Sequence, residues 1–534
     1  MCANTKQQSP VRSQNGEKDV SGKKERKVIS ESQQNKSSTD WTVLGISGGL
    51  LLLFVLVSFI HLESITTFVN TTFGWSVTYF GAFWQVLMLA TFAVAIWLAV
   101  SRYSRIKLGN MEKPEISTFK WISIIMATLL AGGGVFWAAA EPMYHYMDAP
   151  PLFKQQGLGG QAAPALAQSF MHWGFLAWAI LGTLSAVVLI YGHYHKGMPL
   201  KPRTLLYPIF GEKINHSFFG KLIDAFSIIS VAAGTIGPIG FLGLQASYGL
   251  EAVFGIPDVF GTQLAIIAGV VIISTISAVT GLYKGIQWLS NFNVRLALIL
   301  VAVLLVIGPT SFIVNQYLVS MGTYASEFLN MGLYRGNNDW LGSWTVFFWG
   351  WFIGYGPMMA MLVTRISRGR TIQELMIAVG VIAPLVTTFW FTVVGGSGVF
   401  FEQQNSGSVS NALMDTGMHA AMIAITEQFP LSMIITPLFL LLTILFVVTT
   451  TDSMAFTIAM GVTGNENPDS RIRVFWAVLM GCIAAILLYI GEGSVSALQN
   501  FIVVTAVPVS ILLLPMVWLA PRVARKLAKE QKIM

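Results

Sequence analysis

Long apolar runs alternate with short polar ones along almost the whole chain. Twelve apolar stretches stand out, at roughly 41–62, 78–101, 119–142, 164–192, 222–253, 260–282, 292–314, 341–364, 374–400, 432–461, 474–491 and 498–520. A helix needs about 20 residues to cross a hydrocarbon core about 30 Å thick. The pattern therefore predicts an all-α, polytopic membrane protein with 12 transmembrane helices. Residues 1–40 are rich in Gln, Ser, Asn and Lys, lack the apolar core of a secretory signal, and read as a disordered cytoplasmic tail. Residues 521–534 read as a short basic cytoplasmic tail with amphipathic spacing, suited to contact with membrane lipid headgroups.

Composition agrees: 54% of the 534 residues are hydrophobic and 11% charged, which sets a soluble class aside. The net charge of +7 is explained by its distribution. With both termini and the loops after even-numbered stretches placed in the cytoplasm, all of the 32 Lys and Arg except Lys154 and Arg335 lie on that side. That is the positive-inside bias of a multi-pass protein of a bacterial-type inner (plasma) membrane, and no nucleic-acid partner is expected. The 2 Cys and 7 His show no metal-ligand spacing, so neither a transition-metal site nor a cofactor is expected. No nucleophile–base pair with usable spacing suggests an enzyme.

The eighth stretch carries the most pointed chemistry. At 100° per residue, Trp344, Phe348, Trp351 and Tyr355 fall within roughly 60° of one another, Phe352 flanks them and Trp349 points away. A quaternary ammonium has no N–H to donate, so ring faces must select it, each contributing ~0.5 to 2 kcal/mol when desolvated. Gly350, Gly354, Gly356 and Pro357 predict a loosened backbone there. The third stretch (Ala131-Gly132-Gly133-Gly134) and the fifth (Gly234 to Gly240, with Pro238) carry similar interruptions. In transporters such breaks mark binding sites.

Ordered motifs then point to a family. Arg105-Ile-Lys-Leu-Gly109, Glu112 to Trp121, Phe136-Trp137, Glu141-Pro142-Met-Tyr-His-Tyr146, His172-Trp173-Gly-Phe-Leu-Ala-Trp178, Lys196-Gly-Met-Pro-Leu200, Gly285-Ile-Gln-Trp-Leu-Ser-Asn291, Gly308-Pro-Thr310 and Arg365 to Ile372 run in order over roughly 41–520. The chain resembles the betaine/carnitine/choline transporter family. The resemblance implies two extra helices (41–117) followed by inverted five-helix repeats at 118–316 (helices 3–7) and 317–520 (helices 8–12), in a homotrimer.

It also implies uptake of a cationic or zwitterionic substrate of the glycine betaine, choline, carnitine or trimethylamine class, coupled to Na+ by alternating access. Trp173, Trp351, Phe352 and Tyr355 match the family's aromatic box; Trp137, Trp344 and Trp349 match neighbouring positions. The family more often has Trp at positions 352 and 355 and Tyr at position 181, where this chain has Leu. A compact amine or short betaine is therefore expected. The amides of the glycine-rich third stretch are candidates for a betaine carboxylate. By the same resemblance Thr449 and Thr450, the Phe446 carbonyl and backbone oxygens near Ala131 and Gly132 form a sodium site, although Leu129-Leu-Ala-Gly-Gly133 departs from the usual G-M-G-I-G.

The alternatives are a Na+-independent exchanger of the carnitine type and a proton-coupled symporter using Glu141 or Asp452. Because the family's sodium-independent exchangers carry a positive side chain in the fifth segment and lose hydroxyls in the tenth, the resemblance, with no Arg or Lys between Leu222 and Val253 and with Thr449 and Thr450 kept, implies sodium symport rather than exchange. Both acids are expected to be architectural. Since the family's osmosensing members carry a long charged C-terminal helix, the resemblance, with the short segment after the last stretch, implies weak osmotic activation.

Overall fold

The structure is a computed structural model that describes residues 39–130, 133–280, 283–464 and 468–533. Among these, the regular elements are all helical, with one isolated antiparallel bridge between Lys107 and Thr371. In chain order the principal helices are α1 (Trp41–Ile60), α2 (Leu62–Val100), α3 (Thr118–Leu130), α4 (Gly134–Met147), α5 (Ala162–His195), α6 (Phe218–Phe254), α7 (Phe260–Thr280), α8 (Trp288–Ile307), α9 (Thr310–Ser326), α10 (Asn338–Ile366), α11 (Ile372–Gln404), α12 (Ser432–Thr463), α13 (Ser470–Ile490) and α14 (Ser496–Glu530). Eleven of them, all but α3, α4 and α9, are long and apolar enough to cross a membrane.

The third predicted span is found as two pieces, α3 of 13 residues and α4 of 14. At 1.5 Å per residue each is about 20 Å long, too short to cross alone. The candidate ligands Ala131 and Gly132 lie outside the described residues, as does the expected tail up to residue 38. Two boundaries differ from expectation. Helix α2 begins at Leu62 rather than at 78 and runs for 39 residues, parted from α1 only by His61. Its Ser, Thr and Asn positions lower hydropathy without breaking a helix. At the other end the basic segment is helical: Leu519, Val523 and Leu527 pack inward while Arg522, Arg525, Lys526 and Lys529 face out.

Burial sorts the helices by depth. In α5, α6 and α10, 94% of the apolar window is buried, against 33% in α7 and 22% in α8. The enclosed helices are those other helices surround: α6 packs against α12 and α14, and α10 against α14 and α5. The outer helices instead expose Ile272 and Ile276 of α7 and Leu298 and Val306 of α8, as a lipid environment permits. The candidate box residues on α5 and α10 thus sit on two of the three most enclosed helices in the bundle.

Several basic loops gather at one end. Arg370 donates to the Ile116 carbonyl (2.6 Å) and Thr118 Oγ1 (2.9 Å) and pairs with Glu374 (3.1 Å). Arg368 pairs with Glu115 at 2.9 Å, Lys196 with Glu530 at 3.1 Å, and Gln531 accepts from the Lys107 amide at 3.0 Å. The loops after α2, α5 and α10 and the end of α14 therefore form one connected platform.

The loosened backbone expected at Gly350, Gly354, Gly356 and Pro357 is not found. A helix runs unbroken from Phe347 to Ile366, and α6 likewise runs through Gly234, Gly237, Pro238 and Gly240. These glycines serve close approach. A Cβ on Gly350 would lie 2.7 Å from Trp84, one on Gly354 2.4 Å from Ser230 Oγ, and one on Gly240 2.4 Å from Leu498. Irregularity in α10 lies earlier, in a π-helical turn at Gly342–Val346 that carries Trp344 and Thr345.

Candidate functional site

Trp173 closes the first helical piece of α5, where Gly174 (φ −93°, ψ −134°) interrupts the helix before Phe175–Gly182. A Cβ at Gly174 would stand 2.3 Å from the Phe170 carbonyl, so the turn requires glycine. The interruption aims the Trp173 ring at α10. Its centroid lies 5.8 Å from Trp351 and 5.2 Å from Phe352, perpendicular to both (83° and 84°), while Trp351 and Phe352 are 6.1 Å apart and nearly parallel (14°). Three rings from two helices thus make a corner of crossed π faces. With sides near 5 to 6 Å, a cation about 5 Å from their plane is within about 6 Å of all three centroids, the reach of a cation–π contact.

Backbone without side chains makes this possible. Gly133, at the start of α4, lies where a Cβ would be 2.4 Å from Trp351 Cη2 and 3.2 Å from Trp173 Cη2. Gly234 on α6 lies where one would be 2.2 Å from the Tyr355 ring. Three of the four rings are oriented by a polar contact: Trp351 Nε1 donates to the Gly234 carbonyl (3.0 Å), Tyr355 Oη bonds Thr235 Oγ1 (3.1 Å), and Trp173 Nε1 donates to Glu141 Oε2 (2.9 Å). Trp173, Trp351, Phe352 and Tyr355 are all buried.

The other predicted aromatics divide. Trp344 floors a cavity of about 340 Å³ with Tyr144, Met418, His419 and Glu492, at the end of α10 away from the arginine loop. Trp137 is fully buried among Phe241, Phe347 and Phe348, beneath Trp344 at 6.1 Å. Trp349 is fully buried and makes no ring contact with the box.

On α12, Thr449 Oγ1 donates within its own helix to Leu445 O (2.8 Å) and Phe446 O (3.2 Å), and Asn293 Nδ2 approaches it at 3.4 Å. Thr450 Oγ1 is buried with no hydrogen-bond partner among the described residues. A buried hydroxyl without a partner costs about 1 to 3 kcal/mol, which a hard cation at that oxygen would remove. Asp452 pairs with Arg473 at 3.2 Å.

One constellation escaped the sequence reading, which found no metal-ligand spacing. Glu141 is fully buried and lies 2.5 Å (Oε1) from His172 Nδ1 and 3.3 Å from His145 Nε2. Glu141 and His145 are four apart on α4, a helical spacing that could have been noticed; His172 comes from α5 and no local spacing announces it. His172 Nε2 in turn meets Thr345 Oγ1 at 2.9 Å and Gln168 Nε2 at 3.1 Å.

Comparison with known proteins agrees with this architecture. The family model described as "BCCT, betaine/carnitine/choline family transporter" matches residues 42–529. The chain is similar to "Glycine betaine transporter 2" of Vibrio parahaemolyticus, 53% identical over 489 residues that cover 92% of this chain and 91% of the relative. It is also similar to "Glycine betaine transporter OpuD" of Bacillus subtilis (33%, covering 90% and 93%) and to "Betaine/ectoine transporter LcoP" of Corynebacterium glutamicum (32%, covering 91% and 78%). A multi-pass membrane transporter rather than an enzyme, the chain belongs to the betaine/carnitine/choline transporter family.

Proposed function

We propose that the protein takes up glycine betaine or a similarly compact trimethylammonium compound together with Na+, by alternating access. The observation that carries this reading is the crossed-ring corner of Trp173, Trp351 and Phe352, with Tyr355 one turn further along α10. A neutral zwitterion presents its cation there without bringing a net charge into the bundle. The names of the relatives at 53% and 33% identity support glycine betaine within the class.

Sodium coupling rests on α12. The Thr450 hydroxyl and the Phe446 carbonyl supply oxygens of the kind Na+ takes, and the expected ligands Ala131 and Gly132 would complete the set. In this reading α3 and α4 are the halves of one interrupted crossing, which brings the count to 12 and pairs helices 3–7 with 8–12 as inverted repeats. The basic platform then lies in the cytoplasm with both termini, in an inner-membrane homotrimer.

Equilibrium binding tests the box. Glycine betaine should change the tryptophan fluorescence of the purified protein in a Na+-dependent way, and Trp351→Ala should abolish saturable binding. Unchanged affinity in Trp351→Ala would remove the basis of the reading.

A further inference from the structure

We propose that Glu141, His145 and His172 form a transition-metal site, suited to Zn2+, that ties α4 to α5 beside the aromatic box. Among the described residues this is the one group of three such side chains whose ligand atoms all lie within 4.8 Å of one another. Two imidazole nitrogens and one carboxylate are a donor set that zinc takes with three protein ligands, leaving a fourth position open.

Distances favour such a site with little adjustment. Ligand atoms on a tetrahedral ion with bonds of about 2.0 to 2.1 Å stand about 3.3 Å apart. The His145 Nε2–Glu141 Oε1 separation is already 3.3 Å, and the His172 Nδ1–Glu141 Oε1 separation, 2.5 Å, needs to open by somewhat under 1 Å.

The surrounding contacts are those a metal site needs. Ligating histidines hold their second nitrogen on a hydrogen-bond partner, and ligating carboxylates are themselves hydrogen-bonded. Here His172 Nε2 faces Thr345 Oγ1 at 2.9 Å, and Glu141 Oε2 accepts from Trp173 Nε1 at 2.9 Å. The charge and proton balance also closes. When the ion binds, it takes the unprotonated His172 Nδ1 and His145 Nε2, so each imidazole carries its proton on its other nitrogen; on His172 that is Nε2, where Thr345 Oγ1 accepts it once the Gln168 amide turns its oxygen toward the ring in place of its NH2, and a proton held by the Glu141 carboxyl is released on binding. The single carboxylate reduces the ion's charge from +2 to +1.

A route exists as well. The His145 ring packs 4.5 Å from Trp344, which floors the cavity that His419 and Glu492 border. An ion entering that cavity meets His145 once Trp344 swings aside. Loaded, the site cross-links α4 to α5 next to Trp173, so Zn2+ slows any transport that requires these helices to separate.

The test uses the purified full chain in lipid nanodiscs, stripped by dialysis against a chelator and titrated with Co2+ as a spectroscopic substitute. The expected result is one Co2+ per chain, with the visible absorption of a four- or five-coordinate ion and displacement by Zn2+. His145→Gln weakens binding at least about tenfold, Thr345→Val weakens it about 10- to 100-fold through the outer contact, and His419→Gln leaves it unchanged. Either of the first two variants suffices if the other fails to fold. Absence of a stoichiometric band, a band indifferent to His145→Gln and Thr345→Val, or one lost in His419→Gln overturns the proposal. The absorption does not depend on transport, so it stands or falls separately from the betaine reading.

Discussion

Gly133→Ala isolates the contribution of ring position to substrate binding. The added Cβ would sit 2.4 Å from Trp351 Cη2 and 3.2 Å from Trp173 Cη2. Carbon atoms pack at about 3.5 to 4.0 Å, so Trp351 must shift by about 1 Å and Trp173 by a few tenths. That shift stretches the 3.0 Å bond from Trp351 Nε1 to the Gly234 carbonyl to the limit of hydrogen bonding. Loss of one well-placed, desolvated tryptophan face costs about 2 kcal/mol, or about 30-fold in affinity. Uptake of labelled glycine betaine into proteoliposomes should therefore show KM raised roughly 10- to 30-fold. Gly49→Ala, where a Cβ meets nothing within 4 Å, is the control and should leave KM unchanged. A KM in Gly133→Ala within about twofold of the unsubstituted protein, where a change that small corresponds to under ~0.5 kcal/mol, would refute the geometry of the box.

Thr450→Ala removes a hydroxyl that bonds no atom of the described residues, so it should raise the Na+ concentration for half-maximal uptake while leaving thermal stability almost unchanged; a large loss of stability would show a packing role instead. Arg203→Met leaves the fully buried Asp224 carboxylate without its 2.6 Å guanidinium partner and should destabilise the protein by about 3 to 5 kcal/mol, measured by thermal unfolding in detergent. Near it, burial opposes ionisation of Asp40, but hydrogen bonds from Arg203 and the Val43 amide and the charge of Lys201 outweigh it and hold the carboxyl below its ordinary range. A depressed folded-state pKa stabilises above the unfolded value, near 3.9. Asp40→Asn should therefore lower the melting temperature at pH 7, and the difference should shrink as pH falls below about 4; a difference independent of pH would contradict the assignment.

Much of this architecture was legible in one dimension because bilayer thickness sets span length. The pairing of Trp173 with Trp351 was legible through motif resemblance, and the ring corner is where those two helices meet. Glycine misled. Gly350 and Gly354 were read as points of bending, yet they bring Trp84 and Ser230 against α10, and a sequence does not distinguish a flexible backbone from a closely approached one. The polar residues between 62 and 77 hid the first turns of α2, since hydropathy records side-chain polarity and not helix continuity. The Glu141 cluster stayed hidden because His172 reaches it from another helix, 31 residues away.

The most direct measurement is accumulation of labelled glycine betaine in proteoliposomes under an inward Na+ gradient, with K+ replacing Na+ and an inward proton gradient as parallel conditions. Accumulation above the external concentration is expected with Na+ alone, and none under K+ or the proton gradient. Equal uptake without Na+, or accumulation driven by protons, would contradict Na+ coupling.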